Sequence, residues 1–222
     1  RDAAGHRHQA GQIGAVLGGA PLAWRTRAAA IGDLSGDGVA DLVVGSSTAR
    51  LDSAGSVYIF FGPVAGTLST SDAEADILGT RTRAAAGSDA AILGDLDGDG
   101  ISELAVRGDV STTANAAVEI FAGPITVRSY LASSTYSWVS LAGSSPSETL
   151  RTAGAGDTNG DGLDDVIVGS YTNAKGYVVL GSSALSDRSL SGAADATYSG
   201  ASGSSAGWSL TGAGDVDCDG VD

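Results

Sequence analysis

Asp95-Leu96-Asp97-Gly98-Asp99-Gly100-Ile101-Ser102-Glu103 decides the fold, because the chain writes it again on either side. Upstream it reads Asp33-Leu34-Ser35-Gly36-Asp37-Gly38-Val39-Ala40-Asp41. Downstream it reads Asp157-Thr158-Asn159-Gly160-Asp161-Gly162-Leu163-Asp164-Asp165, and a truncated copy, Asp215-Val216-Asp217-Cys218-Asp219-Gly220-Val221-Asp222, ends the sequence. First aspartates are separated by 62, 62 and 58 residues. A fixed period of this size marks one supersecondary unit stacked several times.

The loop itself points to a hard divalent cation. Calcium takes six to eight oxygens, and a tightly turned segment with oxygen-bearing side chains at positions 1, 3 and 5 supplies them. The expected side-chain ligands are Asp33, Ser35 and Asp37; Asp95, Asp97 and Asp99; Asp157, Asn159 and Asp161; and Asp215, Asp217 and Asp219. Glycine at position 6 lets the backbone swing round an ion. Position 7 is aliphatic in every copy (Val39, Ile101, Leu163, Val221), which suggests a carbonyl ligand whose side chain anchors the loop in a core. Position 9 returns a carboxylate in Asp41, Glu103 and Asp165, so three Ca2+ sites read as complete and the fourth as truncated. An acidic hairpin turn with no ion would account for one copy, but poorly for four in register.

An EF-hand would need a bidentate Glu at position 12 and helices on both sides. Position 12 is instead Val44, Val106 and Val168, within apolar strings that read as buried strands. A second strand follows in each unit: Ser56–Phe61, Ala117–Phe121 and Gly176–Leu180. Weaker strand patterns lie at Ala73–Gly79, Tyr136–Gly143 and Ala194–Gly200, with a similar one at Gln12–Gly19.

Loop plus apolar strand resembles the FG-GAP repeat, the module of integrin α-subunit propellers and of many secreted bacterial proteins. Where that family carries Phe-Gly before the loop, this chain has Trp24-Arg25, Ala86-Gly87, Glu148-Thr149 and Ala206-Gly207. Where the family carries Gly-Ala-Pro after the strand, it has Gly45-Ser46-Ser47, Arg107-Gly108-Asp109 and Gly169-Ser170-Tyr171. The resemblance implies an all-β propeller of four-stranded blades, about 60 residues each, with the calcium loop joining the innermost strand to the next. The expected divisions are the outer strand of a preceding blade at 1–20, blades at 21–80, 81–143 and 144–200, and the start of another at 201–222. Two sets of three and a half such blades would make seven. The remaining blades would come from the same chain or from a second copy.

Net charge is −14, but 15 of the 26 acids lie inside the four loops, so most of the acidity is ligand. Such a balance argues against nucleic-acid binding, which needs a basic stripe. No apolar run is long enough to span a membrane. The residues assemble no catalytic constellation. His6 and His8 lack a nearby third ligand, and Gly203-Ser204-Ser205-Ala206-Gly207 matches a nucleophile elbow without the strand and helix that an elbow requires. Trp24, Trp138 and Trp208 read as blade core rather than a sugar-stacking surface, and Cys218, the single cysteine, stands where the other loops carry glycine. Arg107-Gly108-Asp109 spells an integrin-recognised tripeptide, yet follows a buried strand. The expectation is a non-enzymatic, extracellular, calcium-binding propeller that serves as a binding or adhesion module for a protein or carbohydrate. A propeller portion of a larger secreted hydrolase or lyase, and a structural surface or filament subunit, are the alternatives.

Overall fold

The computed structural model of the protein describes residues 14–17, 26–47, 54–79, 85–108, 115–127, 129–130 and 137–222. Strand β1 (Gly14–Leu17) is followed by β2 (Thr26–Gly32), β3 (Asp41–Ser46), β4 (Ser56–Phe60), β5 (Ala65–Leu68) and β6 (Ala75–Leu78). The same sequence of elements returns as β7 (Asp89–Gly94), β8 (Glu103–Gly108), β9 (Ala117–Phe121), β10 (Ser129–Tyr130) and β11 (Ser137–Ala142). It returns once more as β12 (Leu150–Gly156), β13 (Asp165–Ser170), β14 (Lys175–Val179), β15 (Arg188–Ser189), the one-turn helix α1 (Leu190–Ala193) and β16 (Ala196–Ser199). Each of the first three acidic loops joins the first strand of a unit to its second.

Three antiparallel meanders result, ordered β2-β3-β4-β6, β7-β8-β9-β11 and β12-β13-β14-β16. This all-β, propeller-like arrangement agrees with the expected fold class. One element departs from the four-stranded expectation. β5, β10 and β15, from the crossover between third and fourth strands, do not join their own meander. Each lies parallel to the outer strand of the unit before: β5 on β1, β10 on β6 and β15 on β11. Two of the sheets therefore have five strands, the fifth contributed by the following unit.

Apolar strings form the middle strands because both of their faces are covered. Val43, Val57 and Ile59 of the first sheet pack with Leu104, Val106 and Phe121 of the second. On the opposite pleat, Ala105, Val118 and Ile120 of the second sheet pack with Leu150, Val166, Val168 and Val179 of the third. Alternate residues of β8 thus serve different cores, as the two-residue strand period dictates. Just before the loops, β7 and β12 each carry a one-residue bulge, ending in Gly94 (φ 91°) and Gly156 (φ 80°). β2 has its register shift at the other end, between Thr26 and Ala28, and pairs without interruption from Ala28 through Gly32.

Candidate metal centre

All four loops turn in the same way, and the turn is built on the first aspartate. Asp33 accepts the amides of Gly36 (2.7 Å), Asp37 (3.2 Å) and Gly38 (2.7 Å). Asp157 accepts those of Gly160 (2.7 Å), Asp161 (3.1 Å) and Gly162 (2.8 Å). Asp95 takes Gly98 and Gly100, and Asp215 takes Asp219 and Gly220. These amides, led by Gly162, hold the Asp157 carboxyl below its ordinary range. At position 5, Asp37, Asp99, Asp161 and Asp219 each accept the amide two residues on, at 2.8–2.9 Å.

This folding gathers the side chains of positions 1, 3 and 5. Carboxylate oxygens of Asp95, Asp97 and Asp99 lie within 4.8 Å of one another, as do those of Asp215, Asp217 and Asp219. In the other two loops position 3 is neutral and is tied to a neighbouring carboxylate: Ser35 Oγ to Asp33 at 3.4 Å, Asn159 Nδ2 to Asp161 at 2.9 Å. Asp97 titrates above its ordinary value, chiefly through desolvation, with like charge from Asp99 and Asp95 adding to the rise. Cys218 occupies the left-handed region (φ 62°) where its counterparts are glycine, and its thiol is exposed.

Position 9 works from beneath. Asp41, Glu103 and Asp165 are fully buried. Asp41 accepts the amides of Leu34 and Ser35, both at 2.9 Å, and with its other oxygen the amide of Gly62 at 2.9 Å. Asp165 accepts Thr158 N at 2.9 Å, the Thr158 hydroxyl, and Gly181 N at 2.8 Å. Glu103 accepts Leu96 N at 2.6 Å and Gly123 N at 3.4 Å. Burial lifts the Glu103 carboxyl to about 7 against the pull of those amides. The carboxylate therefore fastens the loop to the end of the third strand.

Position 7 does not enter a core, contrary to expectation. Val39 is 38% exposed, and Ile101, Leu163 and Val221 lie sideways on the loop before. A Cβ on Gly36, Gly98 or Gly160 would stand 2.9, 3.1 or 3.3 Å from the side chains of Ile101, Leu163 and Val221 respectively. The anchor is position 2: Leu34 and Leu96 are wholly buried, whereas Val216 is 80% exposed. Its signal was the leucine shared by the first two loops. Adjacent loops are also tied through position 8, where the Ser102, Asp164 and Asp222 amides donate to the carbonyls of Asp33, Asp95 and Asp157 at 3.2, 2.9 and 3.0 Å. The truncated fourth loop thus docks on the third.

Remaining candidates fall elsewhere. Arg151 extends over the Trp208 ring (5.8 Å to its centroid), and Tyr171 leans on the same ring at 4.4 Å. They border a cleft of about 250 Å³ lined by Asp89, Arg151, Thr152, Trp208, Ser209 and Leu210. Trp138 is half-buried against the core between the second and third sheets. Arg107 is a strand residue whose Nη1 donates to Ser88 Oγ at 2.9 Å. Ser205 sits in a turn, without the strand and helix of an elbow. His6, His8, Trp24 and Asp109 lie outside the described residues.

No helix among the described residues is long and apolar enough to cross a membrane. No curated protein matches the chain. The protein-family model for the FG-GAP repeat matches residues 26–60, from β2 through the first acidic loop and β3 to the end of β4. Residues 26–60 are thus similar to an FG-GAP repeat.

Proposed function

We propose that the four loops bind Ca2+ and that the protein is a calcium-stabilised propeller module, without catalytic activity of its own, that binds a protein or carbohydrate outside the cell. One observation carries this reading: a turn repeated four times gathers oxygen donors, among them two carboxylate triplets within 4.8 Å. A donor set made only of oxygens, rich in carboxylates and lacking His and Cys ligands, fits a hard cation. Mg2+ keeps most of its waters and is held by one or two carboxylates, so a loop offering three or four carboxylates together with a carbonyl suits Ca2+ better. The ligands would be the side chains of positions 1, 3 and 5, the carbonyls of Val39, Ile101, Leu163 and Val221, and the carboxylates of Asp41, Glu103 and Asp165. In each position-9 carboxylate the oxygen that accepts the amide of Gly62, Gly123 or Gly181 takes that bond alone and keeps a second lone pair that an ion could use.

Four bound cations would offset about half of the loop charge, bringing the net charge from −14 to about −6. Extracellular calcium modules have Kd near about 10⁻⁴–10⁻³ M, which suits a millimolar-calcium compartment. Because propellers close with four to eight blades, the sheets are read as one partial propeller domain, part of a ring of seven completed by further modules. FG-GAP repeats are typically non-catalytic binding modules of surface proteins, which supports the adhesive over the catalytic reading.

Thermal unfolding in millimolar Ca2+ and after chelation tests the calcium reading. An ion that binds only the folded state adds about 2.7 kcal/mol at a hundredfold excess over Kd, so chelation is expected to lower the midpoint by several degrees; an unchanged midpoint would refute it. Asp157→Ala is expected to remove one equivalent of Ca2+, whereas Asp97→Asn keeps it, since position 3 is already neutral in two loops.

A further inference from the structure

Position 8 differs among the loops in a way that ion ligation does not require. In the second and third junctions the bond between loops is reciprocal. Asp164 N donates to the Asp95 carbonyl at 2.9 Å, and Asp95 N donates to Asp164 Oδ2 at 2.8 Å. Asp222 N donates to the Asp157 carbonyl at 3.0 Å, and Asp157 N donates to Asp222 Oδ2 at 3.1 Å. In the first junction, among the described residues, Ser102 makes only the main-chain bond, at 3.2 Å to the Asp33 carbonyl.

The backbone makes room for the aspartate only where the aspartate is present. A Cβ on Gly94 would stand 2.2 Å from Asp164 Oδ2, and one on Gly156 2.1 Å from Asp222 Oδ2. Both glycines end a strand bulge with positive φ. Gly32, at the same place before the first loop, has no bulge and faces the Ile92 side chain. Bulge, positive φ at the glycine and acid therefore occur together.

We propose that Asp164 and Asp222 are positioning residues that couple neighbouring ion sites, each holding the first ligand of the preceding loop (Asp95 or Asp157) in place. The inference rests on the reading of the loops as calcium sites. Asp164 lies between the carbonyl of Leu163 and the carboxylate of Asp165, two proposed ligands of its own loop. An ion that fixes those two fixes Asp164, and Asp164 fixes the amide of Asp95. Leu163, packed on Gly98, ties the same pair of loops through a second contact. Coupling of this kind is reciprocal, so each ion raises the affinity of the other by the same factor. The first loop, lacking the clasp, binds more independently.

Calcium titrations followed at the backbone amides of Gly100 and Gly162 report the second and third loops separately. With Asp164→Ala the second and third loops are each expected to lose affinity about tenfold, a middling value for coupled sites, while the first loop is unchanged. Asp164→Asn keeps an acceptor oxygen and is expected to restore it. Asp222→Ala, at the end of the chain and away from the cores, is expected to weaken the third loop in the same way. Hydrogen exchange supplies a readout without any ion: the Asp95 amide is expected to lose protection in Asp164→Ala. Calcium shifts in the wild-type loops with unchanged affinity in Asp164→Ala and Asp222→Ala overturn the coupling alone. Absence of calcium shifts in the wild-type protein overturns the coupling and the calcium reading together.

Discussion

Equivalent positions are filled in opposite ways where the first sheet meets the second and where the second meets the third. At the first junction the residues are small: Gly45 lies against Gly87, and Ala86 is buried in a parallel bridge to Gly55. At the second junction Arg107 takes the place of Gly45, Thr149 that of Gly87 and Glu148 that of Ala86. There Asp89 Oδ2 accepts Thr152 N at 2.6 Å and the Thr152 hydroxyl at 3.2 Å, and Arg151 stands 3.7 Å from Asp89 Oδ1. Glu148 accepts Ser144 N, Ser144 Oγ at 2.9 Å and, from the hairpin of the next sheet, Asn173 Nδ2 at 2.9 Å. One repeat can thus join its neighbours by close backbone approach or by a polar network, provided all of the facing positions change together. Either way the apolar cores between the sheets are kept.

The largest effect that would test this contrast is at Gly45. A Cβ there would stand 2.4 Å from the Gly87 carbonyl oxygen, a backbone atom that cannot turn aside. Gly45→Ala is expected to cost about 3 kcal/mol by overpacking. Arg107→Ala, at the equivalent position, removes a hydrogen bond to Ser88 and is expected to cost about 1 kcal/mol. Denaturant midpoints of the two variants measure the difference; equal losses would erase the distinction between the junctions.

Next is Asp89, half of the polar junction. Asp89→Ala leaves the Thr152 amide and hydroxyl without their acceptor and is expected to cost about 2 kcal/mol. Burial already raises the Asp89 carboxyl above its ordinary range, against the bonds from Thr152 and the charge of Arg151. The ionised carboxylate is therefore held at some cost, and Asp89→Asn is expected to be milder than Asp89→Ala in the same unfolding measurement.

The smallest effect is a pH dependence confined to the second junction. Burial alone would raise the Glu148 carboxyl, but surrounding hydroxyl and amide donors outweigh it and hold the group below the ordinary glutamate range. A carboxyl whose value is lowered by folding stabilises the protein above its unfolded value and loses that contribution as pH falls through the native one. Glu148→Gln is thus expected to be less stable than wild type near neutrality. The gap should narrow as the solution is acidified below the usual carboxylate range. A gap that stays constant in acid unfolding curves would remove Glu148 from the junction's electrostatics.

The sequence made the acidic loops and their following strands legible because each depends on local chemistry: turn glycines, an aspartate that accepts nearby amides, and strings of branched residues. The loop anchors were misplaced for an equally physical reason. Position 7 is uniformly aliphatic because each of those side chains beyond Val39 rests on a glycine of the preceding loop, a lateral contact that imitates a core signal. Position 2 holds the true anchor in Leu34 and Leu96, but Thr158 and Val216 break its pattern. The clasp at Asp164 joins residues 69 apart, a separation that a local motif does not record. The parallel fifth strands left no trace either. Ala65–Leu68, Ser129–Tyr130 and Arg188–Ser189 share no residue pattern, since backbone pairing needs none.

Those donated strands change what counts as a module. A cut between one 62-residue period and the next severs β10 from β6 or β15 from β11, and it strips a loop of the neighbour that rests on its glycine. A single repeat transplanted into another protein would arrive with an open sheet edge and with a strand that has no host. Exposed edges of that kind invite pairing with other chains.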